Sequence, residues 1–180
     1  AGPTVITAPF LFNELFQLFN EDVNDHLHFV PLTPWYRFYF HDGRTFDYGQ
    51  DMSSMRREIA SFNPDDVAGY LELVSASKGI FDVGFSKLAH KPFTKFSTMI
   101  EQIPSLLALR ADRTVSQLVA KHIKDPLLRR AFSIQPLLVG GNPFNTTAIY
   151  SLIHYLERKW GVFFCMGGTG ALVDALEGLL

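Results

Sequence analysis

Apolar residues in the first quarter of the chain follow two different rhythms. In "TAPFLFNELFQLF", Phe12, Leu15, Phe16 and Phe19 recur at three- and four-residue steps, the period of an amphipathic helix. Thr7 is placed to cap that helix, and Pro9 falls in its first turn. A short strand is expected just before it, over residues 4–7. In "WYRFYFHDGRTFDY", Tyr36, Phe38 and Phe40 alternate with Trp35, Arg37 and Tyr39 up to Asp42-Gly43. A two-residue period broken by a turn dipeptide predicts a β-hairpin, within about 28–48. Aromatic residues fall on both of its faces, which predicts a sheet covered on both sides.

From Asp51 onward the pattern is mostly helical. "DMSSMRREIASF" is a short helix. The next opens with Asn63 as cap, Pro64 at the first helical position, and Asp65 and Asp66 at the positive end of the helix dipole. Further helices are expected over 98–103, 114–123 and 126–132, the last capped by Asp125. "GGNPFNTTAIYSLIHYLERKW" repeats the Asn-Pro device: Asn142 caps, Pro143 follows, and Ile149, Leu152, Ile153 and Leu156 form an apolar stripe. Gly161 then releases "VFFCM" as a strand. No internal repeat or low-complexity tract interrupts the chain. The fold class is α+β: a small mixed or antiparallel β-sheet with several packed helices.

Composition narrows what such a fold does. At 180 residues with 47% hydrophobic side chains, one domain can bury a substantial core. Phe is abundant, 17 against 2 Trp, and Phe suits a dry core or a lipophilic pocket because it carries no polar handle. The net charge of −2, with both signs dispersed, argues against nucleic-acid binding. The single cysteine, Cys165, excludes an internal disulfide framework and any multi-cysteine zinc site. With no base partner in view, it reads as a buried, inert thiol. No apolar run is long enough to span a membrane. The six histidines show no ligand spacing and read as surface or satisfied core residues. The chain opens on Ala1 without an initiator Met and stops inside an amphipathic pattern at Leu179 and Leu180, so both ends read as cuts through a longer protein.

Three stretches carry candidate chemistry. "FFCMGGTGALVDALEGLL" resembles the start of a dinucleotide-binding turn, but Val173 stands where the third glycine of G-x-G-x-x-G belongs. It reads better as another strand-to-helix glycine turn, whose Gly168, Thr169 and Gly170 N–H groups could face an anion or a ring edge. "LLVGGNPFNTT" is explained either by a helix ending at Gly140 or Gly141 or by an added ligand role. "RADRT" sets charges between apolar helices. Either it is a solvated loop in which Asp112 caps the next helix, or Asp112 or Arg113 stands at the mouth of a lipophilic pocket and handles a proton there.

"AGPTVIT", "NPDDVAGY", "LLVGGNPFNTTAIYSLIHYLERKWGVFF" and "GGTGALVDAL" resemble, in order and spacing, the bacterial-type phytoene desaturases of the FAD-dependent amine-oxidase-like flavoproteins. The resemblance covers essentially the whole chain and is most specific over 137–176, although a Pro is expected near Cys165-Met166. It implies the central part of a longer enzyme, lacking the N-terminal Rossmann dinucleotide-binding unit. Residues 1–10 then lead in from the FAD-binding domain, 11–160 form the substrate-binding domain, and 161–180 return towards FAD.

The implied activity is hydrogen removal from C–C single bonds of a phytoene-like polyene, with hydride passing to FAD. This chain alone is not expected to retain FAD. The implied partners are a lipophilic polyene and a membrane surface, bound peripherally from the cytoplasm, and self-association is compatible with the reading. By matching motifs, Gly2, Pro3 and Thr4 approach the flavin, as do Gly167, Gly168 and Thr169. Gly141, Asn142 and Pro143 line the substrate channel. Arg113, with Asp112 beside it, is the expected polar group near the reacting centre. Two alternatives stay open: a related flavin oxidoreductase acting on another lipophilic substrate, and a non-catalytic module that binds apolar ligands or membranes.

Overall fold

A computed structural model describes residues 5–83 and 112–179. Strand β1 (Val5–Ile6) leads into α1 (Phe10–Gln17). Thr7 is not the cap: Pro9 holds the cap position, with no side-chain cap bond. Phe16 is buried and Phe12 and Leu15 are half-buried, whereas Phe19 lies past the helix end and is exposed. Helix α2 (Val23–His26), capped by Asp22, turns the chain into β2 (Phe29–Pro31).

The hairpin forms from β3 (Tyr36–Tyr39) and β4 (Thr45–Tyr48), with Tyr36 opposite Tyr48 and Phe38 opposite Phe46. Gly43 supplies the left-handed residue of the turn at φ +84°, and the Asp42 carboxylate accepts from the Arg44 N–H at 3.1 Å. Only one face is covered. Phe46 and Tyr48 are buried there with Tyr36 and Phe38 half-buried, while the other face carries the Arg37–Asp47 ion pair and Tyr39, 77% exposed. The expectation of a two-sided cover is therefore corrected: along the strands the outer face carries one solvated tyrosine, and Trp35, just before β3, is buried in the core against Tyr48. Phe29–Pro31 lies outside this hairpin. It pairs with β5 (Phe163–Cys165), the centre of an antiparallel sheet ordered β1-β5-β2.

Helix α3 (Met52–Phe62) is capped by the Asp51 carboxylate. The long α4 (Asp66–Val83) starts two residues later than Pro64, because Asn63 instead closes a turn onto the Asp65 N–H at 3.2 Å. Asp66 is fully buried and serves a purpose other than the dipole. Its two oxygens accept the Lys124 and Asp125 N–H groups, each at 2.7 Å, and so tie α4 to the turn between α5 (Val115–His122) and α6 (Pro126–Ala131). Asp125 caps α6 as expected. Gly69 lets α4 approach α5 closely, since a Cβ there would overlap the His122 carbonyl oxygen.

Short 3₁₀ turns over Gln135–Val139 and Ala148–Ser151 precede α7 (Leu152–Trp160). Asn142 does not cap α7. Its side chain accepts from the Phe144 N–H at 2.9 Å and its carbonyl from the Thr146 N–H at 2.8 Å, closing a separate turn. Gly161 and β5 then lead to α8 (Gly168–Glu177). The helix expected over 98–103 lies outside the described residues.

Two cores result. The larger joins the hairpin to α3, α4, α5, α6 and the Ala148 turn, through residues such as Phe46, Ile59, Leu73, Val119 and Phe132. The smaller gathers Phe16, Val23, Leu27 and Cys165 under α8's Leu172 and Leu176. Cys165 is thus a buried free thiol. The whole is an α+β fold in which small antiparallel sheets are packed with helices.

Candidate functional site

The two central loops singled out in the sequence are neighbours. The Val115 N–H donates to the Thr146 carbonyl at 3.0 Å, the Ser116 N–H to the Pro143 carbonyl at 3.1 Å, and the Ala148 N–H to the Arg113 carbonyl at 2.8 Å. Thr114, not Asp112, caps α5, in a reciprocal box with Gln117. Asp112 is left to pair with Arg113, whose Nη2 lies 2.7 Å from its carboxylate. That neighbour raises the Arg113 pKa. Arg113 is therefore a fixed cation rather than a lone group poised to release a proton.

Gly140 ends the first 3₁₀ turn in the left-handed region, φ +75°, as the C-cap reading requires. Gly141 has no room for a side chain: a Cβ would stand 2.8 Å from Thr146 Oγ1 and 3.2 Å from the Pro136 carbonyl oxygen. The loop is thereby pinned, with Asn142 exposed and Pro143 turned to a cleft of about 360 Å³. Ala120, Ile134, Leu137 and Phe144 give this cleft apolar walls. Arg113 opens onto a second, more polar cleft of about 340 Å³ with Glu72, Lys121 and His122. Residues of α5 line both, so the structure brings Arg113 and Pro143 onto adjacent segments while turning them to different clefts.

The glycine turn lies at the far end of β5. Gly167 and Gly168 adopt φ +84° and +74°, and the turn opens α8, placing Gly168 and Thr169 in its first turn. Both strands beside β5 are antiparallel to it, whereas a dinucleotide fingerprint belongs to a parallel βαβ unit. A Cβ on Gly168 or Gly170 would meet nothing within 4 Å. The turn therefore leaves room beside the first-turn N–H groups of α8, which are donors at a helix N-terminus. The register sends β1 from Ile6 to Val5 towards the Cys165 end of β5, and hence towards this turn. Gly2, Pro3 and Thr4 lie outside the described residues.

Sequence reasoning missed a polar cluster in the larger core. Ser151, His154 and Glu157 are all fully buried, with Arg158 beside them. Tyr36 donates to Glu157 Oε1 at 2.9 Å. His154 Nε2 donates to the Phe132 carbonyl at 2.8 Å, which makes Nδ1 the acceptor for Gln135 at 3.1 Å and Tyr48 at 3.3 Å. Arg158 donates to the Gly49 and Gln50 carbonyls and stacks 4.2 Å over the Trp35 ring. Burial pushes the Glu157 carboxyl up to about 7 and the His154 ring down to about 4. It also raises the Tyr36 and Tyr48 phenols, with the Glu157 charge adding to Tyr36. The sequence signal was the i, i+3, i+6 spacing of Ser151, His154 and Glu157 beside the apolar stripe. His154 is the satisfied core histidine that its isolation suggested.

Among the described residues no His, Cys, Asp or Glu cluster could hold a metal, and no helix is long and apolar enough to cross a membrane. The described residues thus combine an antiparallel sheet that leads into a glycine turn with helices that line an apolar cleft. The chain belongs to the flavin-containing amine oxidoreductase family, whose profile matches residues 1–179.

Within that family it is 46% identical, over 98% of its length, to a phytoene desaturase (lycopene-forming) of Pantoea ananas, and it covers 36% of that protein. The lycopene-forming enzyme of Paracoccus sp. is 44% identical over 99% of the chain, again at 36% of its own length. A neurosporene-forming phytoene desaturase of Rhodobacter capsulatus is 35% identical over 97% of the chain and 33% of that enzyme. The chain thus spans a little over one third of the length of the curated relatives it matches.

Proposed function

We propose that this chain is the substrate-side part of an FAD-dependent carotenoid desaturase that removes hydrogen from C–C single bonds of a phytoene-like polyene. The observation that carries the reading is the 46% identity to a lycopene-forming phytoene desaturase across nearly the whole chain. Residues 1–10 lead in from an FAD-binding domain, 11–160 form the substrate-binding domain, and 161–180 return to the flavin. The Rossmann unit belongs to other parts of the enzyme.

FAD, when bound, supplies the acceptor for hydride equivalents. The N–H groups of Gly168 and Thr169, after Gly167, would hold one edge of it, with Gly2, Pro3 and Thr4 as the expected neighbours. Pro143 contributes an apolar wall that a hydrocarbon needs, Gly141 fixes the loop by leaving no space, and Asn142 closes its turn. Arg113, neutralised in part by Asp112, contributes a permanent positive charge near the helical layer. The protein meets the membrane peripherally, at its cytoplasmic face, because its substrate is dissolved there.

A second reading is favoured by 28% identity, over 99% of the chain, to a 4,4'-diapolycopen-4-al dehydrogenase of Metabacillus indicus: a related flavin oxidoreductase acting on another lipophilic substrate. The full-length protein, loaded with FAD and given liposomes containing phytoene, should yield red-shifted polyene absorbance. Oxidation of a carotenoid aldehyde with phytoene untouched would select the second reading. Activity on neither would overturn both.

A further inference from the structure

The cleft beside Pro143 holds more polarity than a hydrocarbon can use. Its walls are apolar, from Ala120 and Pro126 across Ile134 and Leu137 to Phe144. Leu137 and Phe144 are 61% and 70% exposed, so the apolar surface continues out of the cleft. Yet Arg129, Arg130 and Ser133 also line it. Ser133 is 94% buried by residue, at 6% relative exposure, and its hydroxyl has no hydrogen-bond partner. A buried hydroxyl without a partner is costly and calls for a ligand or a solvent atom.

The two arginines are similarly uncommitted. Arg129 is oriented by one bond, Nε to the Ile123 carbonyl at 2.6 Å. Neither arginine has an acidic partner among the described residues. Their place in the last turn of α6 suits the helix dipole, but the dipole does not occupy the outer guanidinium donors.

We propose that this cleft binds one anionic phospholipid, its phosphate on Arg129 and Arg130, a polar linkage oxygen at Ser133, and an acyl chain along Ile134, Leu137, Pro143 and Phe144. Charge complementarity selects this occupant: guanidinium groups pair with phosphate oxygens at short range, while a neutral polyene leaves them and the hydroxyl unsatisfied. The cleft's volume of about 360 Å³ admits part of a single acyl chain rather than a folded partner segment. The proposal needs only these residues and holds whether or not the chain is part of a desaturase. If Pro143 also lies on the substrate path, the lipid marks where that path opens to the bilayer.

The test uses the full-length protein without substrate, and vesicles of phosphatidylcholine alone or mixed with phosphatidylglycerol. Binding should require phosphatidylglycerol, and the double variant Arg129→Gln/Arg130→Gln should weaken it about tenfold or more, the loss expected for charge-assisted bonds to phosphate. A matched change at two exposed arginines of α3, Arg56→Gln/Arg57→Gln, should leave it unchanged. Ser133→Leu should fill the cleft and abolish retention of a fluorescent-acyl phosphatidylglycerol. Ser133→Ala should weaken retention and replaces Ser133→Leu if circular dichroism shows that variant unfolded. The proposal is overturned by equal binding to phosphatidylcholine, by equal losses in the two arginine pairs, by retention unaffected in the Ser133 variants, or by displacement of the vesicles with inorganic phosphate at the concentration of the lipid.

Discussion

Tyr36 on the hairpin and Glu157 on α7 meet at 2.9 Å, the phenol donating to a carboxylate that burial has made reluctant to ionise. Glu157 shares its compartment with a histidine shifted the opposite way.

Glu157 binds its proton up to about pH 7 in the native state, whereas unfolded it releases it near 4.5. Between these values the native state holds more protons, so this group's contribution to stability falls as pH rises, by roughly 3 kcal/mol in all. His154 is neutral in the native state down to about 4 and protonated when unfolded below 6.5, so its contribution rises with pH over that range by a similar amount. Between 4.5 and 6.5 the slopes oppose each other. Glu157→Gln should unmask the histidine, giving a denaturation midpoint that climbs from pH 4 to 6.5.

His154→Gln should do the reverse. It keeps a donor for the Phe132 carbonyl but removes the titrating ring, so the midpoint should decline from pH 4.5 to 7. Flat profiles in both variants would show that the cluster does not titrate as its burial demands.

Gly69→Ala should be severely destabilising, by about 3 kcal/mol or more, because α4 and α5 must separate to clear the His122 carbonyl. Gly79, on the same helix with open space around its Cβ, is the control: alanine there should be neutral or stabilising. Urea denaturation of the two variants side by side reads the difference.

Arg158→Lys should cost about 2 kcal/mol, since an ammonium cannot reach two carbonyls and stack on Trp35 at once. Loss of the Trp35 near-ultraviolet dichroism ahead of global unfolding would locate the damage at the base of the hairpin.

Gly168→Ala bears on the flavin. At φ +74° a methyl costs about 1–2 kcal/mol of backbone strain, and it projects into open space where the ring edge is proposed to lie. The full-length protein should then retain less FAD after desalting, read as flavin absorbance per chain. Unchanged occupancy would remove this turn from the flavin site.

Local features were legible where short-range chemistry decides them. Asp42-Gly43 made its turn, Asp125 capped α6, and Gly161 released β5. Reading failed where a distant partner decides. Asp66 looked like a dipole residue until the Lys124 and Asp125 N–H groups claimed it, and nothing near Phe29 announces Cys165 as its pairing partner. At the candidate site, Gly140, Gly141 and Pro143 could be read from turn chemistry, and their nearness to Arg113 could not. The buried face of α7 escaped because the Ile149, Leu152, Ile153 and Leu156 stripe already explained that helix.

The order of the three-stranded sheet carries one more consequence, for the chain as it is made. Among the described residues β1 and β2 have no ladder with each other, and each pairs with β5. The ladders that hold Val5 and Phe29 therefore cannot close until residues 163–165 have been made. The phenylalanines of α1 and β2 thus wait on a strand made far later in the chain, the long-range pairing that folds slowly and leaves apolar segments open to association meanwhile.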